Sequence, residues 1–477
     1  MDQRSPSPDV EPPETPGGGP APHRILVLGG GFGGIHLSRE LERLFSDQPE
    51  VELTLVSQDN FFLLTPLLFE ACSGTLELRH CSVPIRACLR RTRFVEGSLE
   101  GPIDFERRIV RVRRGASGLR EFAYDQLVLA VGAWTNQRLI PGSEYAFTFK
   151  TLADAILLRN HVIECFEAAD AELDPGRRRA LLTFAIVGGG LVGTELLGEL
   201  SAFAHEIVRY YPCVRRTELR FLLFEHSDRI MPELEPELVR HAMRVLSSRE
   251  GVEIRTSTPV KAIEAEAVQL AGERIPAATI VLAAGTLPSS AVGSLDLAKG
   301  KRGHVRTDAA LRTSRPEVWA LGDCAEIPGP DGRPYPYLAQ HALREARLLA
   351  RNVRAAYLGE ALQPFHYDSL GVMASLGGHE GVARILSLRV HGFLAWWLRR
   401  TYYLLQTPGL DRKLRIVVDW TVALFLRPDV VKLDTAGERA LLLRSRPAGA
   451  AALPGSGGET ASVRLIEPRA DRAPALA

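Results

Sequence analysis

The chain has little of what would bind a polyanion, pair thiols or cross a bilayer. Lys and Arg total 58 against 57 Asp and Glu, so the net charge is +1 and no basic surplus marks a nucleic-acid partner. The six cysteines, Cys72, Cys81, Cys88, Cys165, Cys213 and Cys324, stand singly, with no CxxC or CxxxxC pair among them. That leaves no zinc ribbon, no metal site and no redox-active dithiol spelled out, and it reads as reduced thiols of a cytosolic protein. No run of about 18 apolar residues occurs, so a spanning helix is not expected. Residues 1–22 are rich in Pro, Gly and acid and have no apolar core of a secretory signal; residues 446–477 are rich in Ala, Pro, Gly and Arg. Both read as disordered segments.

What is present is 477 residues of which 45% are hydrophobic, enough for two or three domains with substantial cores. Two glycine fingerprints dominate, residues 29–34 (Gly-Gly-Gly-Phe-Gly-Gly) and 188–193 (Gly-Gly-Gly-Leu-Val-Gly). Each follows a short apolar run, 24–28 and 183–187, and each opens a segment of helical character, 35–45 and 194–208. A strand, a tight glycine turn and a helix N-terminus let backbone N–H groups approach a pyrophosphate, whose charge the helix dipole stabilises. One such fingerprint is weak; two in the required context predict two bound dinucleotides and electron transfer between them. Further apolar strands follow each fingerprint, at 51–56 and 126–130 in the first unit and at 220–224 and 279–283 in the second. Each unit closes on small residues, Ala130 and Gly132 or Ala284 and Gly285, which leave the backbone accessible to a cofactor. A later apolar run, 318–321, ends in Gly322 and Asp323, a carboxylate placed to accept hydrogen bonds from polyol hydroxyls.

In these features the chain resembles the pyridine-nucleotide oxidoreductases with two dinucleotide-binding domains, and within them the type II NADH:quinone oxidoreductases. The matching pieces are residues 60–68 (Asn-Phe-Phe-Leu-Leu-Thr-Pro-Leu-Leu), 149–155 (Phe-Lys-Thr-Leu-Ala-Asp-Ala), 190–200 and 392–397 (Gly-Phe-Leu-Ala-Trp-Trp), in that order. The resemblance implies an α/β fold of two Rossmann-like domains, the NADH domain inserted in the FAD domain, followed by a C-terminal amphipathic helical region that anchors to a membrane. The expected segments are 23–150 and 300–365 for FAD, 151–299 for NADH and 366–445 for the anchor.

Carried onto this sequence, the resemblance places non-covalent FAD against Gly29, Gly31, Phe32, Gly33 and Gly34, with Ser57, Pro66, Leu67, Ala130, Gly132, Gly322, Asp323, Ala339 and Gln340. NADH is placed against Gly188, Gly190, Leu191, Val192 and Gly193, with Glu195, Glu225, Ala284 and Gly285. Glu225 ends the second strand of its unit, where a carboxylate bonds the adenosine ribose and repels a 2′-phosphate, so NADH is favoured over NADPH. The first unit has Ser57 at the corresponding place, with Asp59 two residues on as a substitute. Hydride transfer to a flavin needs positioning more than a nucleophile. Glu195 matches a family carboxylate near flavin and nicotinamide, with a role in ordering the nicotinamide and moving protons.

The acceptor is expected to be a quinone. Residues 339–345 resemble the branch's Ala-Gln-x-x-x-Gln-Glu motif, with Gln340 and Glu345 matching and Arg344 in place of the second Gln. Gln340 and Arg344 share a helix face and would border the quinone head group. The C-terminal runs 390–405 and 414–427 combine Trp and Tyr with Arg399, Arg400 and Arg415, and Arg412 and Lys413 stand just before the second run; these cations can reach anionic lipid phosphates, a composition suited to peripheral, monotopic attachment to the cytoplasmic face of the cell membrane. A homodimer contact behind that face is compatible with it. Two other readings stand open: a sulfide:quinone or other flavin-dependent NAD(P)H oxidoreductase, with Cys165 and Cys324 as the nearest cysteine candidates, and a non-catalytic nucleotide-binding redox sensor.

Overall fold

Two parallel sheets, each wound in the same order, carry the fold in a computed structural model that describes residues 22–115, 118–427 and 429–433. The expected disordered leader, apart from its last residue, and the expected tail lie outside the described residues, as does 434–445 of the expected anchor region.

The first sheet has five strands in the spatial order Val318–Ala320, Gln126–Leu129, His23–Leu28, Val51–Ser57, Arg93–Glu96. All four pairings are parallel, with Leu28 in register with both Val56 and Leu129. The central strands are buried on both faces, which is why they read as continuous apolar runs and not as alternating ones. The second sheet orders Val252–Arg255, Arg220–Phe224, Thr183–Val187 and Thr279–Leu282, again all parallel. Its strands lie in sequence between Gln126–Leu129 and Val318–Ala320, so the second unit is inserted into the first. In each sheet the winding reverses beside the first strand, and the fingerprint glycines follow that strand at its carboxyl end. This is the switch point where open α/β sheets receive ligands.

The fingerprint helices span Phe32–Leu44 and Leu191–Ile207, each starting three residues earlier than periodicity suggested because glycines occupy their first turns. The long helix Ala339–Leu358 packs along Phe32–Leu44. After it comes an element that the helical reading of the C-terminal region passed over: a three-stranded antiparallel sheet of Gly371–Gly377, Glu380–Ile385 and Leu388–His391. Its turns are glycine-rich and its first strand, Gly-Val-Met-Ala-Ser-Leu-Gly, does not alternate cleanly between apolar and polar residues, so it carries little periodic signal. Its first strand lies backbone to backbone on the helix Leu191–Ile207: a Cβ on Gly198 would strike the Leu376 carbonyl, and one on Gly377 the Gly198 carbonyl. Helices Phe393–Gln406 and Leu410–Ala423 follow. At 14 residues each they extend only about 21 Å, and among the described residues no helix is long and apolar enough to cross a membrane.

Candidate functional site

The two fingerprints build matching cradles. The first glycine of each has a left-handed backbone, φ 111° at Gly29 and 113° at Gly188, which an L side chain resists. The third, Gly34 or Gly193, lies so close to the turn that a Cβ would run into the carbonyl of Gly29 or Gly188. The second, Gly31 or Gly190, has nothing within 4 Å of where a Cβ would stand. These middle glycines are the N-caps of the two helices, and no side chain caps either one. The first-turn N–H groups of Phe32, Gly33 and Gly34, and of Leu191, Val192 and Gly193, therefore surround an open, electropositive space. A pyrophosphate fits both spaces.

Beside the first cradle, Ser57 packs on Gly30, whose added Cβ would stand 2.7 Å from the Ser57 hydroxyl; Asp59 is exposed. In the second, Glu225 takes the equivalent place against Gly189 and is buried. Its carboxylate accepts hydrogen bonds from Gly189 N at 2.6 Å and Ser227 N at 2.8 Å. Burial alone would raise its pKa, but the two amides together hold it below the ordinary carboxylate range. A charged acceptor is thus fixed at the cradle's edge. Gly132 and Gly285, both at φ 65°, lead the two units into a short antiparallel pair, Ala133–Thr135 with Thr286–Pro288, that joins the two switch points.

Asp323 lies in a single 3-10 turn, Gly322–Cys324, directly after the last strand of the first sheet. Its carboxylate faces Lys150 at 3.4 Å, and Gly322 N donates to Glu345 at 2.7 Å. Glu345 is buried in the helix Ala339–Leu358, and desolvation, reinforced by the Asp323 charge, pushes its pKa up to about 8.

Sequence reasoning missed a buried charge network. Pro66 and Leu67 lie in a short turn, Thr65–Leu67, which runs into a helix bearing Glu70. Arg399, on Phe393–Gln406, reaches Glu195 at 2.8 Å, Glu70 at 3.5 Å and the Pro66 carbonyl at 2.6 Å. Arg400 bonds Glu70 at 2.9 Å, and Trp420 Nε1 donates to the same carboxylate at 2.8 Å. Ser375 N donates to Glu195 at 2.7 Å, and Ser375 Oγ to Glu199 at 2.8 Å. Arg399 and Arg400 are only 1% and 5% exposed, so the expectation that they reach lipid phosphates is corrected: their charge is consumed inside the protein. Arg415 is exposed, whereas Arg412 and Lys413 are half-buried and bond the Arg79 and Leu405 carbonyls. Ion pairs so buried are set by partners far along the chain, and no sequence spacing signals them.

At the third expected site, Ala339 begins its helix and Gln340 is already committed. Its amide donates to the Gly371 carbonyl at 2.9 Å and accepts from Tyr367 Oη at 3.1 Å. Arg344 is half-buried, lies over the Tyr367 ring at 4.7 Å and bonds the Gln340 carbonyl through one nitrogen. Cys165 and Cys324 are buried in separate settings, one against Thr279 and the other against Leu129, and burial pushes their thiols up to about 11 and about 12. Neither is a thiolate at neutral pH, which disfavours sulfide chemistry through them.

A profile of the pyridine nucleotide-disulphide oxidoreductase family matches residues 23–346. The type II NADH:quinone oxidoreductase Ndh of Mycobacterium tuberculosis is 29% identical over 440 residues, covering 87% of this chain and 90% of that protein. The demethylphylloquinone reductase NdbB of a Synechocystis strain is 31% identical over 405 residues, 83% and 95% of the two chains. Among solved structures, NDH2 from Plasmodium falciparum in complex with NADH superposes with a TM-score of 0.78 at 18% identity, over 86% of this chain and all of that one, a likeness of fold.

Proposed function

Because the chain belongs to the pyridine nucleotide-disulphide oxidoreductase family, we propose that it is an FAD-dependent NADH:quinone oxidoreductase that pumps no protons. The observation that carries the reading is the pair of equivalent open cradles, one edged by a charged carboxylate and the other by a serine hydroxyl. Bound FAD would supply hydride acceptance and two-electron transfer to the quinone. The chain's own residues hold and orient. The amides at 32–34 and Asp323 would receive FAD, with Ser57, Pro66, Leu67, Ala130 and Gly132 around it. The amides at 191–193 and Glu225 would receive NADH, with Ala284 and Gly285 beside it. Glu195, one turn into the second cradle's helix, would order the nicotinamide while Arg399 holds its carboxylate in place.

Quinone contact is assigned to the surface at Gln340 and Arg344. With Gln340's amide bonded within the chain, Arg344 supplies the donors there that a quinone carbonyl needs. Membrane association would come from the exposed apolar side chains of the last two helices, among them Phe393, Leu394, Trp397, Leu414, Val418 and Val422. Attachment at the cytoplasmic face follows from NADH being intracellular, and a homodimer contact behind that face is compatible with it. The test is spectroscopic. Purified protein should be yellow, anaerobic NADH should bleach its flavin band, and a short-chain quinone should restore it. Bleaching without restoration by quinone would overturn the acceptor assignment.

A further inference from the structure

The edge of the second cradle carries a side chain that the proposed function does not use. His226 directly follows Glu225, and its Nδ1 stands 2.8 Å from Glu225 Oε1. Glu225 is buried, whereas the His226 side chain is 80% exposed. The carboxylate therefore lies between the fingerprint and the imidazole. Its Oε2 accepts from Gly189 N, and its Oε1 faces both Ser227 N and His226. Of the roughly four acceptor positions of a carboxylate, three are taken and about one remains for a ribose hydroxyl.

An ionised carboxylate accepts and never donates, so the ring nitrogen that faces it, Nδ1, carries a proton. In the neutral ring Nε2 is then an acceptor, and the Ser227 hydroxyl meets it at 3.2 Å. Neutral His226 has no donor left over. The imidazolium has a second N–H, and its charge offsets that of Glu225, which by itself repels a 2′-phosphate.

The loop beneath is fixed: Thr258 N donates to the Glu225 carbonyl and Ser257 N to the Ser227 carbonyl. Besides Glu225, this loop brings Asp228, which is exposed, and Arg229, whose guanidinium bonds the Pro232 and Leu234 carbonyls. The segment packed against it, 255–258, brings Arg255, paired with Glu253 and Glu273. The fingerprint, 188–193, brings no charged side chain. Of these basic groups His226 alone is exposed. Burial would raise the Glu225 pKa, but the amides of Ser227 and Gly189 hold it below the ordinary range, so this carboxylate stays charged at neutral pH.

Resting on the proposed function, we propose that His226 is a second determinant of nucleotide choice: as the imidazolium it keeps Nδ1–H on Glu225 and donates Nε2–H to the 2′-phosphate of NADPH, so that the chain oxidises NADPH as well as NADH, increasingly as pH falls. NADPH binding takes up one proton on His226 and NADP⁺ release returns it. The redox step balances as for NADH: NADPH + H⁺ + quinone → NADP⁺ + quinol.

The test compares NADPH with NADH in anaerobic bleaching of the FAD-loaded full chain, reading the ratio of their kcat/KM values between pH 8 and pH 6, the interval in which imidazoles change charge. In the wild type the NADPH/NADH ratio is expected to rise about tenfold as pH falls, through the KM for NADPH. H226N, which offers Glu225 a donor but carries no charge, is expected to give a low ratio whose remaining pH dependence is that of the 2′-phosphate itself. H226R, charged throughout, is expected to give a high ratio that changes less than twofold beyond that of H226N. A merely structural role for His226 would move both nucleotides together and leave the ratio unchanged. A wild-type ratio that does not rise, or one that rises equally in H226N, overturns the assignment. Bleaching by NADH with none by NADPH at any pH overturns it and leaves the functional reading intact. Protein bleached by neither nucleotide overturns both.

Discussion

Replacing Glu345 with Gln should make the protein more stable at alkaline pH, although it removes a buried hydrogen-bonding acid. The carboxyl is buried beneath the Gly322–Asp323 turn, and its pKa stands at about 8 against an ordinary 4.5. Between those values the folded chain keeps the proton that the unfolded chain has lost. Stability therefore declines as pH rises from about 4.5 to about 8 and levels off above that. At about 1.36 kcal/mol per pH unit, the penalty accumulated above pH 8 is about 5 kcal/mol. Gln cannot ionise, and its side-chain oxygen can still accept from Gly322 N. Near pH 5, E345Q and wild type should melt within about a degree of each other. At pH 8.5 the variant should melt several degrees higher, its curve diverging steadily in between. Thermal unfolding followed by circular dichroism across that range reads the difference, and subtracting the two curves cancels every other titrating group. Parallel curves, or a variant less stable throughout, would refute the assignment of a protonated Glu345.

Within the second cradle, G193A should lose about 1–3 kcal/mol or fail to fold, because its Cβ meets the Gly188 carbonyl, whereas G190A should unfold like wild type yet show a KM for NADH raised about tenfold. Equal stability losses in both, measured by thermal melts beside NADH titrations, would sink the division of roles between these glycines. R399M strands Glu195 and loosens Glu70, so a loss of about 3–5 kcal/mol is expected in denaturant titrations; a loss under about 1 kcal/mol would mean that the network is held otherwise. R344Q should raise the KM for a soluble quinone several-fold while leaving NADH-dependent bleaching untouched, and an unchanged quinone KM would move the acceptor site elsewhere.

The cradles were legible in the chain because everything that makes them is local. An apolar run, a turn that tolerates only glycine and a helix N-terminus lie within a few residues, and the sterics at Gly29 and Gly34, or Gly188 and Gly193, act within that span. Glu225 was readable for the same reason, as the residue that ends a buried strand. The sequence by itself thus determined two dinucleotide cradles and the apolar strands that carry them. Only the tertiary structure decided what the charged residues of the C-terminal helices do. Arg399 and Arg400 follow a tryptophan pair on a helix that looks interfacial, and nothing nearby distinguishes a lipid-facing arginine from a buried one. Their partner Glu70 stands 329 positions from Arg399, and whether a guanidinium is solvated or buried depends on whether such a carboxylate is brought to it. Charge burial is a long-range property, decided only once those distant segments are packed together.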